Sequence, residues 1–249
     1  RSPDVSEIQI LPQDSEIKVG RPVLVNVTFK LDTPHIHPDT NKPYPYRGQG
    51  GFFKVGPIGG DPNSFMKLKV FPSLLRMDSN GLEYGRSFIL FFDIARKKLV
   101  FDKAGDYSVQ YIRTRTQASN TVELTVNPPT RNLANATSLL SFSDYNDFLF
   151  LHAGPEKGIE KHPETIARLE RIIEEYPQTR LAKWSAARLG VEYLEELQKK
   201  HRSFKKFKSK KQQDKIEEPL FDKACTYLTK ATELPDEFPI RDKVLYQLY

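Results

Sequence analysis

His35 and His37 stand at i and i+2 in the stretch Leu31–Asp39. In extended chain two such side chains point the same way, which is one route to presenting two imidazoles to a metal. Asp32 or Asp39 is a conceivable third ligand; the alternative is a solvated loop. Three ligands must converge and only two positions have usable spacing, so no metal and no cofactor is expected. Gly48-Gln49-Gly50-Gly51 lacks the Lys-Ser/Thr and the following helix of a phosphate loop. Cys225 is the single cysteine, which rules out an internal disulfide, and among helix formers it reads as a small buried apolar group rather than a nucleophile. The pairs Glu174-Glu175 and Glu195-Glu196 fall on outward helix faces, where carboxylates are solvated. No Ser, His and Asp combination can be assembled from this pattern. The chain is therefore expected not to be an enzyme.

Two other stretches could bind rather than catalyse. Lys199–Lys215 holds nine Lys or Arg and one acid, a net of +8, while the rest of the chain carries −2 of the formal +6. The high pI is thus local. Such a run repels itself and is expected to be extended or frayed in isolation. Phe204 and Phe207 interrupt it at i and i+3. It is either a solvated insertion whose phenylalanines pack on a neighbouring helix or an anion-binding arm, with Lys205, Lys206, Lys208, Lys210 and Lys211 as its candidate contacts. The second stretch, Asp32–Ser64, is rich in Pro and Gly and carries Tyr44, Tyr46, Phe52 and Phe53. An interval this long is either a decorated crossover whose aromatics fold back on a sheet or a recognition loop.

The hydrophobic period differs between the two halves of the chain. Val23, Val25, Val27, Phe29 and Leu31 alternate with Leu24, Asn26, Thr28 and Lys30, the pattern of a strand with one face on a core. Ile8, Ile10, Ile17 and Val19 predict an opening pair, Phe65–Phe71 a further strand, and Phe88–Phe92 a strand covered on both faces. In Phe101–Val126, Tyr107, Val109 and Tyr111 alternate on one strand and Val122, Leu124 and Val126 on the next. Gly105-Asp106 makes the turn into the first of these, and a second turn is expected near Ala118-Ser119-Asn120. About seven strands suit a sandwich. A tyrosine just after a turn, Tyr107, resembles the corner tyrosine of immunoglobulin-like sandwiches, whose hydroxyl ties the strand start to the backbone.

After Asn127-Pro128-Pro129 the period changes to helical. Helices are predicted over Ser138–Leu151, from Pro163 to the stop at Pro177, from Leu181 to about Lys200, over Glu217–Leu234, and from Pro239. Leu189-Gly190-x-x-Tyr193 resembles the middle of the first helix of a tetratricopeptide repeat, and Ala224-x-x-x-Leu228-x-x-Ala231 followed by Pro235 resembles its second helix. Ala167–Ala182, ARLERIIEEYPQTRLA, is similar to the repeat junctions of secreted bacterial envelope proteins. The resemblance covers Pro163–Tyr249, and it departs from the family in having Ala186 at the Trp position and a lysine-rich insertion in place of the short inter-helix turn.

The expected architecture is therefore multidomain, all-β plus all-α: an immunoglobulin-like β-sandwich over residues 1–128, then antiparallel helical hairpins of TPR-like type over residues 133–249. No apolar run reaches the roughly 20 residues of a membrane span. The chain begins at Arg1, as a processed or trimmed one would, and the family likeness implies a secreted or periplasmic location with a leader already removed. The expected function is a non-enzymatic binding or scaffold protein of the bacterial envelope or exterior, taking a protein or peptide. The alternative is a polyanion-binding module acting through residues 199–215. Sequence leaves the oligomeric state open.

Overall fold

The computed structural model describes residues 5–34, 51–60, 66–68, 74–77, 82–142, 146–155, 158–204, 210–232 and 234. The chain divides into two compact units, Arg1–Pro129 and Thr130–Tyr249.

Among the described residues of the first unit there are eleven strands: β1 Val5–Pro12, β2 Glu16–Lys18, β3 Val23–Leu31, β4 Phe52–Pro57, β5 Met66–Leu68, β6 Leu74–Met77, β7 Glu83–Leu90, β8 Phe92–Asp93, β9 Lys98–Leu99, β10 Gly105–Ile112 and β11 Ala118–Asn127. They form a four-stranded sheet in the order β1-β3-β7-β6, a five-stranded sheet in the order β2-β11-β10-β4-β5, and a two-stranded ribbon, β8-β9. All described pairings are antiparallel except β2 on β11. The alternation read in β3 places Val23, Val25, Val27, Phe29 and Leu31 in the core. Tyr111 lies among Phe29, Phe53 and Phe88, with ring centroids 5.2–5.8 Å away. Its hydroxyl accepts the Gly51 N–H at 2.8 Å. The Tyr107 hydroxyl donates to the Lys103 carbonyl at 3.1 Å, tying the start of β10 to the preceding turn. Asn120, on β11, bonds through its side chain to both the N–H and the carbonyl of Ile10 on β1.

Among the described residues of the second unit there are five helices, α1 Arg131–Ser138, α2 Asn146–Ala153, α3 Pro163–Glu175, α4 Arg180–Phe204 and α5 Lys210–Ala231, with a 3-10 turn at Ile159–Lys161. Thr130 caps α1 by accepting the Leu133 N–H, and Pro163 opens α3 at a position where no intrahelical donor is needed. Gly190 of α4 faces Leu228 of α5 so closely that a Cβ there would lie 2.8 Å from Leu228 Cγ. Trp184 and Leu189 of α4 are buried, as are Leu169, Ile172 and Ile173 of α3.

The expected class is corrected by these elements. The chain is not an all-β immunoglobulin-like domain followed by TPR-like hairpins; it is of mixed α/β class, with 40% of the described residues helical and 33% in strands, in five helices and several sheets. A parallel pair and a separate ribbon accompany the antiparallel ladders, and α1 and α2, eight residues each, are too short to be arms of stacked hairpins. Other boundaries move for local reasons. The helix expected over Ser138–Leu151 is two helices, because Leu139 closes α1 and a new helix opens at Asn146. The turn expected near residues 118–120 closes just before them, where the Arg113 N–H bonds to the Gln117 carbonyl and β11 begins at Ala118. The Asp32–Ser64 interval is not all loop: Phe52–Pro57 is an inner strand between β10 and β5. Nor is residues 199–215 a separate insertion, since α4 continues to Phe204 and α5 begins at Lys210 and runs through Pro219.

Candidate functional site

A concavity among the described residues lies beside the turn between α3 and α4. The sequence builds that turn rigidly. Tyr176, held out of helical geometry by the proline that follows it, ends α3 with its N–H on the Ile172 carbonyl. Pro177 supplies no N–H, and Thr179 then caps α4: its hydroxyl donates to the Tyr176 carbonyl at 2.9 Å and accepts the Ala182 N–H at 3.1 Å. The cleft beside this turn holds about 110 Å³ and is lined by Ile173, Pro177, Gln178, Ala182, Lys183 and Lys230. Ile173 and Ala182 are buried and form an apolar floor, while Gln178 and Lys230 stand exposed at the rim. Lys183 comes from the first turn of α4 and Lys230 from the last turn of α5. Among the described residues no acid lines the cleft.

Two polar clusters in the same unit are buried, and a third, around Glu170, is partly exposed. Asp147 on α2 is 0% exposed. Its carboxylate accepts two bonds from Arg168 at 2.8 Å, one from the Thr165 hydroxyl at 2.7 Å and one from the Ser141 N–H at 2.8 Å. All four lone-pair directions are used, leaving none to hold a ligand.

Arg188 of α4 closes the C-terminal end of α2. It donates to the Leu151 carbonyl at 2.9 Å, to the His152 carbonyl at 2.6 Å and to Glu192 at 3.2 Å. Burial lowers the guanidinium's pKa, with Glu192 opposing. Gly154, at φ +82, follows α2 where a Cβ would run into Glu192 Oε1, so both backbone and space demand glycine there. The His152 ring stands edge-on to Trp184 at 5.1 Å. Burial, and next the Arg188 charge, hold its imidazole down to about 4. That group is neutral at pH 7 and is placed as a packing element.

In the third cluster Glu170 of α3 accepts from the Tyr227 hydroxyl at 2.9 Å, with Tyr193 at 3.4 Å and Lys223 at 3.6 Å. The two tyrosine rings stack at 5.9 Å, and Lys223 lies 5.1 Å over Tyr193. Burial and then Glu170 raise both phenols above their ordinary range. Burial lowers Lys223, but Tyr193 and Glu170 together outweigh it and leave the ammonium raised. The arrangement joins α3, α4 and α5.

The residues singled out from sequence are not brought together. Phe53 is 0% exposed in the core of the first unit, and Phe52 is half-buried on the same strand, so neither belongs to a projecting loop. Tyr44, Tyr46, His35 and His37 lie outside the described residues, as do Lys205, Lys206 and Lys208. Lys210 and Lys211 open α5. Among the described residues no group of three His, Cys, Asp or Glu could hold a metal, and no helix is long and apolar enough to cross a membrane. Cys225 is half-buried on α5, not fully buried, because it sits one position off the Ala224–Leu228 face. Glu192 is buried against Arg188. The Arg188–Glu192 spacing of four was a usable helix-pair signal. The Asp147–Arg168 pair and the meeting of Lys183 with Lys230 depend on packing between distant segments and left no local trace.

Compared with protein-family models and with curated proteins, the chain matches none.

Proposed function

We propose that this chain is a non-enzymatic binding or scaffold protein whose C-terminal unit takes a protein or peptide at the cleft beside the α3–α4 turn. One contrast carries the reading. The buried carboxylate, imidazole and guanidinium of the unit are committed to holding its elements together, whereas the cleft combines an apolar floor with a polar rim on a capped turn. A small apolar recess with a few polar groups around it is the ordinary form of a recognition site. The likeness of Ala167–Ala182 to repeat junctions of secreted bacterial envelope proteins supports placing it in the envelope or outside the cell.

Peptide-array binding by the purified protein, compared with Gln178→Trp, tests the proposal. Gln178 is exposed at the rim, so a bulky ring there obstructs the cleft with little effect on folding. Peptides retained by the parent and lost by the variant are expected. Retention by both places recognition elsewhere and overturns it.

A further inference from the structure

Positive charge gathers at one end of the α4–α5 hairpin. Residues 199–215 hold nine Lys or Arg against Asp214 alone, whereas the rest of the chain carries a net −2. Fully extended, such a run would spread its charge over about 55 Å. The fold does the opposite. α4 continues to Phe204 and α5 begins at Lys210. The two helices pack together at Gly190 and Leu228, and both run on beyond that contact toward the link between them. Residues 199–204 are therefore the last turns of α4 and residues 210–215 the first turns of α5, each about 9 Å long. Helical backbone thus brings the run to one tip, at the opposite end of the hairpin from Lys183 and Lys230. We infer that this tip is a contact site for a membrane surface rich in anionic lipid, independent of the proposed cleft.

The neighbouring acids stand back from the tip. Glu195 and Glu196 on α4, and Glu217 and Glu218 on α5, lie about 10–14 Å along the axis from the linked helix ends. That separation exceeds the screening length of about 8 Å at physiological salt. Glu196 engages Lys200 at 3.6 Å. Even with all four acids counted, residues 195–218 hold nine bases and five acids. α5 also opens on Lys210 and Lys211 with no acid in its first turn, although the positive end of a helix dipole disfavours cations there. An anion at the tip offsets both repulsions. Three features favour a lipid surface over a nucleic acid. Eight of the nine cations are Lys, a point charge without the planar fork by which Arg reads phosphates and bases. The charge caps the end of a rod, which meets a flat surface, instead of lining a groove that a strand could track. Phe204 and Phe207 interrupt the cations, and apolar rings among lysines add contact at the headgroup boundary.

Flotation with phosphatidylcholine vesicles, alone or mixed with anionic phosphatidylglycerol, tests the tip. The proteins are the parent, Lys205→Gln/Lys206→Gln/Lys208→Gln/Lys210→Gln/Lys211→Gln, the same five positions changed Lys→Arg, and Gln178→Trp, with folding followed by circular dichroism. The parent should float with anionic vesicles and not with neutral ones, and less so as salt rises. The Gln variant should bind about a thousandfold more weakly, while the Arg variant and Gln178→Trp bind as the parent does. Equal binding to neutral vesicles, binding that persists at high salt, or a Gln variant equal to the parent overturns the membrane contact. Loss in Gln178→Trp moves the contact to the cleft and overturns the tip. Duplex DNA, read by fluorescence anisotropy, is the competing arm: tighter binding to DNA than to vesicles, lost in the Gln variant, assigns the tip to nucleic acid and overturns the lipid surface. If the Gln variant does not fold, the lipid and salt series on the parent decide alone.

Discussion

The two units satisfy their buried polar groups by different means. In the N-terminal unit the ladders pair backbone groups as the strands form, and buried side-chain polarity is local or neutral. Asp93 accepts from Ala95 and Arg96 of its own turn, and Ser87 bonds to Asn26 on the adjacent strand. In the C-terminal unit buried charges reach across elements: Asp147 to Arg168, and Arg188 to the carbonyls that end α2. A helix leaves up to four N–H and four carbonyl groups unpaired at its ends, so an eight-residue helix such as α2 is mostly ends. Short helices packed indoors therefore need ionic side chains where strands need none. A buried ion pair adds little net stability over an apolar replacement, yet removing one partner is severe. The C-terminal unit should thus be the more sensitive to single polar changes.

That contrast can be broken most easily at Asp147. Asp147→Ala leaves Arg168 without its carboxylate and the Ser141 N–H without its acceptor, and should cost about 3 kcal/mol. Trp184, the single tryptophan, is buried in this unit, so its fluorescence in a denaturant titration reports the loss. A loss below about 1 kcal/mol would sink the comparison. Gly190→Val tests packing in the same unit: with Leu228 Cγ 2.8 Å from the added Cβ, about 2 kcal/mol should go.

Acid provides a smaller effect. The His152 pKa falls from 6.5 to about 4 on folding, so the unfolded chain takes up a proton that the folded one refuses. Its contribution is intact above pH 6.5 and is lost as pH falls toward 4. Denaturation midpoints at pH 7 and pH 5 should differ by on the order of 1–2 kcal/mol from this residue. His152→Gln should flatten that slope; an unchanged slope assigns it to carboxylates instead. The smallest effect belongs to the other unit. Tyr107→Phe removes one hydroxyl bond to Lys103 and should cost about 1 kcal/mol, read from far-ultraviolet circular dichroism. A loss equal to that at Asp147 would erase the distinction between the units.

What was legible in the sequence follows the same division. Period-two alternation in Val23–Leu31 and in the Tyr107–Tyr111 strand records burial on one face, and both strands stand where it placed them. Pro163 and Pro177 bracket α3 because proline's ring and missing N–H act locally. β4 was hidden: Phe53 and Val55 do alternate, but Gly and Pro on both sides outweighed a six-residue pattern. The class itself was not legible, since short helices and a parallel pair are set by how segments meet. The same holds for the cleft, whose lysines lie 47 positions apart and share a rim only through packing of α4 with α5.

The Asn120 amide has a consequence for how molecules of this protein meet one another. Its oxygen accepts from the Ile10 N–H at 2.8 Å and its nitrogen donates to the Ile10 carbonyl at 3.3 Å, on the side of β1 facing away from β3. Gln117 does the same for the Val5 carbonyl at 3.1 Å. An outermost strand with open backbone groups is a template on which a foreign strand can add, the first step of edge-to-edge aggregation. Here a side-chain amide, chemically a copy of the peptide group, already occupies the place of that foreign strand. That occupation keeps the Ile10 backbone from such pairing, and it uses neutral residues rather than the lysines or prolines that usually blunt an edge.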